Sequence, residues 1–167
     1  MASTTVERTH ESTLRFLAGP ADLNVHGKVH GGAVMKWMDE AGYVCATAWC
    51  GRPCVTVYVG GIRFYRPILV GQLVEVRARL IHTGRTSMHI AVNVSGGEPA
   101  ERRLTPTTHS VMVFVALDEA GVPLPAPVWK PRTAADRRLC GYAERLTRLG
   151  RQLEEEMRPH LGQPAGH

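Results

Sequence analysis

The sequence predicts an α+β domain in which a curved antiparallel sheet wraps around one long central helix, with an amphipathic helix at the C-terminal end. Three observations predict it. The stretch AVMKWMDEAGYVCATAW at residues 33–49 is long, free of proline and apolar on most sides. Four strand-like segments follow it in a row. An apolar stripe then recurs at spacings of three and four through residues 134–158. A helix that is apolar nearly all round needs cover nearly all round, and a strongly curved sheet supplies that cover within a chain of 167 residues, the length of one domain.

Taken in order, THESTLRFL at residues 9–17 predicts a short first strand, and a loop covers residues 19–32. The helix at residues 33–49 is ended by Gly51, Arg52 and Pro53. CVTVYVGGIRFYRP then alternates Val55, Val57 and Val59 before Gly60–Gly61, a pair that signals a bulge or a close backbone approach. LVEVRARLIH sets Val74, Val76, Ala78 and Leu80 against Glu75, Arg77 and Arg79, the period of a strand with one solvated face. A turn, TGRT, leads into SMHIAVNVS, which points Met88, Ile90, Val92 and Val94 inward. THSVMVFVAL is apolar on both faces near its end and predicts a well-covered strand. Residues 118–130 are too proline-rich for a regular element. The closing helix carries Leu139, Tyr142, Leu146, Leu149, Leu153 and Met157 on one stripe. The division expected is a domain over residues 1–133, a helix over 134–158 packed on or beside it, and a flexible tail over 159–167. This order of elements is that of the hotdog architecture, whose open sheet edge and exposed helix flank are completed by a second copy, so a homodimer is expected.

Composition narrows the function. No apolar run approaches the ~20 residues that span a bilayer, and the first eleven residues lack the apolar core of a signal peptide. A cytoplasmic location and no membrane partner are therefore expected. Cys45, Cys50, Cys54 and Cys140 form no CxxC pair and read as small buried residues of a reducing compartment, and no metal is expected. The net charge of +5 favours an anionic partner. Nucleic acid is not expected, because few aromatics are available for base stacking.

The motif NVHGKVHGGAVMKWMDEAG at residues 24–42 carries the chemistry. It delivers Gly31 and Gly32 to the start of the helix, where free N–H groups at the positive end of the dipole can bind a carbonyl oxygen as charge develops on it. Asp39 lies roughly 11 Å further along the axis. A carboxylate there can activate water or attack an acyl carbon. Spacing alone does not separate Asp39 from Glu40, although Lys36 stands four residues before Glu40 and suits a surface ion pair. In HTGRTSM, Arg85, Thr86 and Ser87 offer a cation and hydroxyls to a phosphate.

These residues, together with IRFYRPILVGQLVEVRARLIHTGRTSM and VFVALDEAGVPLPAPVW, resemble the acyl-CoA thioesterases of the hotdog superfamily, in particular the brain acyl-CoA hydrolase type and its single-domain bacterial relatives. The resemblance implies hydrolysis of acyl-CoA to a free fatty acid and coenzyme A, with no cofactor beyond the coenzyme A of the substrate. It implies that Asp39 is the catalytic acid/base or nucleophile, that Asn24 helps position water or thioester, and that the backbone at Gly31 and Gly32 polarises the carbonyl. It implies that Gly84, Arg85, Thr86 and Ser87 meet the nucleotide end of coenzyme A. It also implies an active site shared between two units, Asn24 from one and Asp39 from the other, in a hexamer built as a trimer of dimers. Gly60–Gly61 is a departure, because relatives often carry an acid before I-x-F. The competing readings are a non-enzymatic acyl-CoA sensor and a hotdog enoyl-CoA hydratase or dehydratase using His26 or His30.

Overall fold

A computed structural model describes residues 8–101 and 103–161. The expected tail at 159–167 lies mostly outside these residues. Six strands and two long helices run in the order β1 (Glu11–Leu17), α1 (Gly31–Cys50), β2 (Cys54–Val59), β3 (Arg63–Phe64), β4 (Leu73–Thr83), β5 (Ser87–Gly97), β6 (Thr105–Ala116) and α2 (Ala134–Met157). All pairings are antiparallel, in the order β1-β4-β5-β6-β2, with β3 also on β6. β2 is thus an edge strand.

The alternation read from the sequence matches the burial. Val74, Val76, Leu80, Met88, Ile90, Val92 and Val94 are fully buried, and they pack against one face of α1 formed by Ala33, Val34, Trp37, Met38, Ala41, Cys45 and Ala46. α1 starts two residues earlier than the sequence predicts and ends at Gly51, whose φ of 71° is open to glycine at little cost. Gly42 lies against the fully buried ring of Phe114, and a Cβ there would stand 2.7 Å from two ring carbons. Gly42→Ala is therefore expected to lower the melting temperature. The overpacking costs roughly 1–3 kcal/mol and outweighs the ~1 kcal/mol that alanine gains in a helix.

Three expectations are corrected. The single segment predicted from Cys54 breaks into β2 and β3, because the backbone at Gly60 approaches β6: its N–H meets the Val111 carbonyl at 3.0 Å and its own carbonyl accepts from Ser110 Oγ at 2.5 Å. A register shift between Thr56 and Tyr58 adds a bulge. Glu75, assigned to a solvated face, is only 4% exposed, and Arg15 and Arg77 reach its carboxylate at 2.5 and 2.6 Å. Of the stripe on α2, Leu139, Tyr142 and Leu146 pack with Ala143 on Ile81, Ala91 and Val111, across the outer face of the sheet from α1, whereas Leu149, Leu153 and Met157 stay exposed.

α2 is anchored at its start. Thr133 and Asp136 form a capping box, and Arg79 Nη2 reaches Asp136 at 2.6 Å. The backbone N–H groups of Thr133 and Arg132, with Arg79 adding its charge, hold the Asp136 carboxyl down to about 2. Arg77 and Arg79 are therefore engaged by acids rather than free for a basic surface.

Candidate active site

The loop before α1 is folded by Asn24. Its Oδ1 accepts from the N–H groups of His26 at 2.9 Å and Lys28 at 3.2 Å, and Gly27 closes the turn onto the Asn24 carbonyl at 3.0 Å. Among the described residues the carboxamide nitrogen of Asn24 has no hydrogen-bond partner. His30 caps the helix, its Nδ1 accepting from the Ala33 N–H at 3.0 Å. The N–H groups of Gly31 and Gly32 find no acceptor inside the helix and none elsewhere among the described residues. They stand at the positive end of a 20-residue helix. Phe64 on β3 lies over them, 3.1 Å from where a Cβ at Gly31 would be.

One strip of α1 is not covered by the sheet. Met35 and Tyr43 are 44% and 40% exposed, and Asp39 sits half-buried between them at i+4 and i−4. Thr56 Oγ1 on β2 donates a short hydrogen bond to Asp39 Oδ1. Glu40 points to solvent and pairs with Lys36 at 3.7 Å, as the spacing predicts. Beside Asp39 the edge strand β2 exposes Val55, Val57 and Val59. The carboxylate therefore lies on an open, largely apolar flank of the single chain. Asp39 lines neither of two clefts of about 450 and 800 Å³, the first against Arg52–Val55 with Leu117–Glu119 and the second between Arg8–Glu11 and Val128, Trp129, Lys130 and Arg132.

The turn at residues 84–87 joins β4 to β5. Gly84 N–H meets the Ser87 carbonyl at 2.9 Å, and Ala126 N–H meets the Arg85 carbonyl at 3.0 Å. Arg85 is exposed and Thr86 half-buried, whereas Ser87 Oγ turns to His89 Nε2 at 3.2 Å. Burial, and next to it the neighbouring His82, hold His89 down to about 4, so it is a neutral partner. Met88 pairs with Phe114, and Phe114 with Thr56. Two strand spacings thus separate Met88, next to the turn, from Thr56, roughly 10 Å across the sheet. Turn and acid lie toward the same end of β6. Within one chain no hydrogen bond joins Asn24 to Asp39 among the described residues.

Residues 26–102 match the family model described as "Thioesterase superfamily". The chain is 38% identical over 131 residues to the acyl-CoA thioester hydrolase YciA of Salmonella typhimurium, covering 75% of this chain and 98% of the relative. This chain belongs to the thioesterase superfamily. Among solved structures, the thioesterase is similar to an apo-hexameric acyl-CoA thioesterase, with 30% identity, a TM-score of 0.76 and coverage of 90% and 94% of the two chains. It is also similar to a hexameric thioesterase of Yersinia pestis, with 38% identity, a TM-score of 0.64 and coverage of 68% and 93%. The hotdog arrangement expected from the order of elements is the fold of this thioesterase.

Two residues of the site escaped the sequence reading. Thr56 reads as one more β-branched residue in a valine-rich strand, and only its place on the face opposite Val55 and Val57 hinted at a hydroxyl turned toward α1. His30 read as a loop histidine, although its position directly before Gly31 is that of an N-cap.

Proposed function

We infer that this thioesterase hydrolyses acyl-CoA thioesters to a free fatty acid and coenzyme A. The observation that carries the reading is the Asp39 carboxylate, held by the Thr56 hydroxyl on an uncovered apolar flank of α1. We assign the free N–H groups at Gly31 and Gly32 to the thioester carbonyl oxygen, on which negative charge builds in the tetrahedral intermediate. Asp39 activates a water for attack on the acyl carbon or attacks that carbon itself. The C–S bond then breaks, and the coenzyme A sulfur leaves and takes up a proton; where Asp39 itself attacked, a water then cleaves the acyl–Asp39 anhydride, releasing the fatty acid and restoring the carboxylate. The thioester supplies the reactivity, so the reaction calls for no cofactor beyond the substrate's own coenzyme A.

One active site draws on two chains in this reading. Gly32 and Asp39 lie roughly 11 Å apart along a continuous helix, and groups acting on one carbon must stand within about 3–3.5 Å of the reacting atoms. A partner's α1 therefore supplies whichever of the two the first chain cannot bring. Asn24, whose carboxamide nitrogen has no partner among the described residues, comes with Gly31 and Gly32, and Asp39 comes from across the interface. The unpaired edge of β2 supports a dimer with its contact beside Asp39, and the hexameric relatives support three such dimers. A cytoplasmic setting fits a chain in which no helix among the described residues is long and apolar enough to cross a membrane.

The test is release of free thiol from short, medium, long and aryl acyl-CoAs by the purified protein. Turnover with a saturated acyl-CoA carries the reading. Binding without turnover identifies a sensor, and addition of water across an enoyl-CoA identifies a hydratase. His30, already committed to capping α1, counts against the last. The same assay tests the turn: Arg85→Ala is expected to raise KM for acyl-CoA by about tenfold, the worth of one charge-assisted phosphate contact of about 1.5 kcal/mol. Its effect on an acyl-pantetheine, which lacks the nucleotide, should be far smaller. Equal losses on both would assign the turn to folding.

A further inference from the structure

The outer face of the sheet carries a cluster that hydrolysis does not use. His82 near the end of β4 faces Cys140 and Glu144 on α2, with His82 Nδ1 at 3.4 Å from Cys140 Sγ and Cys140 Sγ at 3.9 Å from Glu144 Oε1. All three donor atoms lie within 4.8 Å of one another. From this geometry we propose a binding site for a zinc-class divalent cation, ligated by His82 Nδ1, Cys140 Sγ and a Glu144 carboxylate oxygen. In tetrahedral zinc, bonds of about 2.0–2.3 Å to nitrogen, oxygen and sulfur put neighbouring donors about 3.5 Å apart. The two distances observed bracket that value, and the longer one ends on an exposed side chain that can close it.

The backbone is shaped for this meeting. Strict alternation after Ala78 and Leu80 would turn His82 into the core. A register shift between Leu80 and His82 instead pairs His82 with His89, whose neighbours Met88 and Ile90 point inward. The bulge thus re-aims His82 to the outer face, the use to which bulges are put beside functional sites. On α2, the i,i+4 spacing of Cys140 and Glu144 puts both donors on one face. The chemistry selects the ion: a thiolate and an imidazole favour zinc over magnesium or calcium, and one carboxylate does not reverse that preference. Three protein ligands leave a fourth position for water. The bound ion staples α2 to the strand that leads into the turn at residues 84–87, on the side of the sheet away from α1 and Asp39.

The test uses cobalt(II) as a coloured substitute for zinc on the chelator-stripped full chain. The expected result is one cobalt per chain with a thiolate-to-cobalt charge-transfer band, displaced by zinc, and a higher melting temperature with zinc bound. Cys140→Ser should abolish the band, and His82→Ala and Glu144→Gln should each weaken binding by at least about tenfold. The double variant Cys50→Ser/Cys54→Ser removes the other close pair of thiols, whose sulfurs are 3.4 Å apart, and should leave the band in place. Absence of a stoichiometric band in the native chain, or its survival in Cys140→Ser, overturns the site. Glu144 is exposed, so Glu144→Gln keeps the fold, and unchanged affinity in that variant overturns the ligand set even where Cys140→Ser does not fold.

Discussion

Asp39→Asn is expected to lower acyl-CoA hydrolysis by ~10²-fold or more while leaving the melting temperature close to that of the native chain. Asparagine keeps the size of the side chain and an oxygen for the Thr56 hydroxyl, and it removes the group that can accept a proton or attack carbon. Glu40→Gln, one residue on, serves as the control. Glu40 is solvated and, among the described residues, bound only to Lys36 at 3.7 Å, a surface pair worth a few tenths of a kcal/mol, so its loss should hardly register. Steady-state kinetics on both variants decide the matter, and a crippled Glu40→Gln beside an active Asp39→Asn reverses the assignment.

The second large effect is recovery of activity from two dead proteins. Asn24→Ala and Asp39→Ala are each expected to be nearly inactive. Unfolded together in equal amounts and reassembled, they form about half mixed two-fold dimers by random pairing. If Asn24 of one chain works with Asp39 of the other, each mixed dimer holds one site with both lesions and one with neither, and about a quarter of native sites return. If the two residues act within one chain, every site keeps a lesion and mixing restores nothing. Native mass spectrometry of the mixture verifies that subunits exchanged. Exchange without recovery removes Asn24 as the partner of Asp39 across an interface.

Legibility in the sequence followed the range of the interactions concerned. Met88, Ile90, Val92 and Val94 announce their side of the sheet because strand geometry imposes a period of two on neighbours in sequence. The length of α1 was readable for the same reason. Glu75 was not, because its burial depends on Arg15, sixty residues away in the chain, and on Arg77 closing over it. Thr56 was missed because nothing local tells a hydroxyl that supports β structure from one that holds a carboxylate. His82, Cys140 and Glu144 became a cluster only once α2 lay on the sheet, and the bulge that turns His82 toward them is marked in the sequence only by Ile81 following Leu80 in an otherwise alternating strand. Among the candidate catalytic groups, Gly31, Gly32 and Asp39 stood out because one motif contains them all, whereas the proposal that they act from two chains rests on the distance along a helix.

The ladder between β1 and β4 governs how this protein is made. Leu17 pairs with Leu73 and Glu11 with Arg79, and Gly42 of α1 seats against Phe114. As the chain leaves the ribosome, β1 and α1 emerge before β4, β5 and β6, the strands that complete their packing. The apolar face of α1, with Met38, Ala41, Cys45 and Ala46, must wait for β4 and β5 before it has a sheet to lie on. At roughly 5–20 residues per second that interval is on the order of several seconds, long compared with helix formation. β4, β5 and β6 follow one another in sequence and pair with their immediate neighbours, so they form the template on which the older half of the chain closes. A nascent chain halted before β4 therefore presents a bare hydrophobic helix, the kind of surface that chaperones hold.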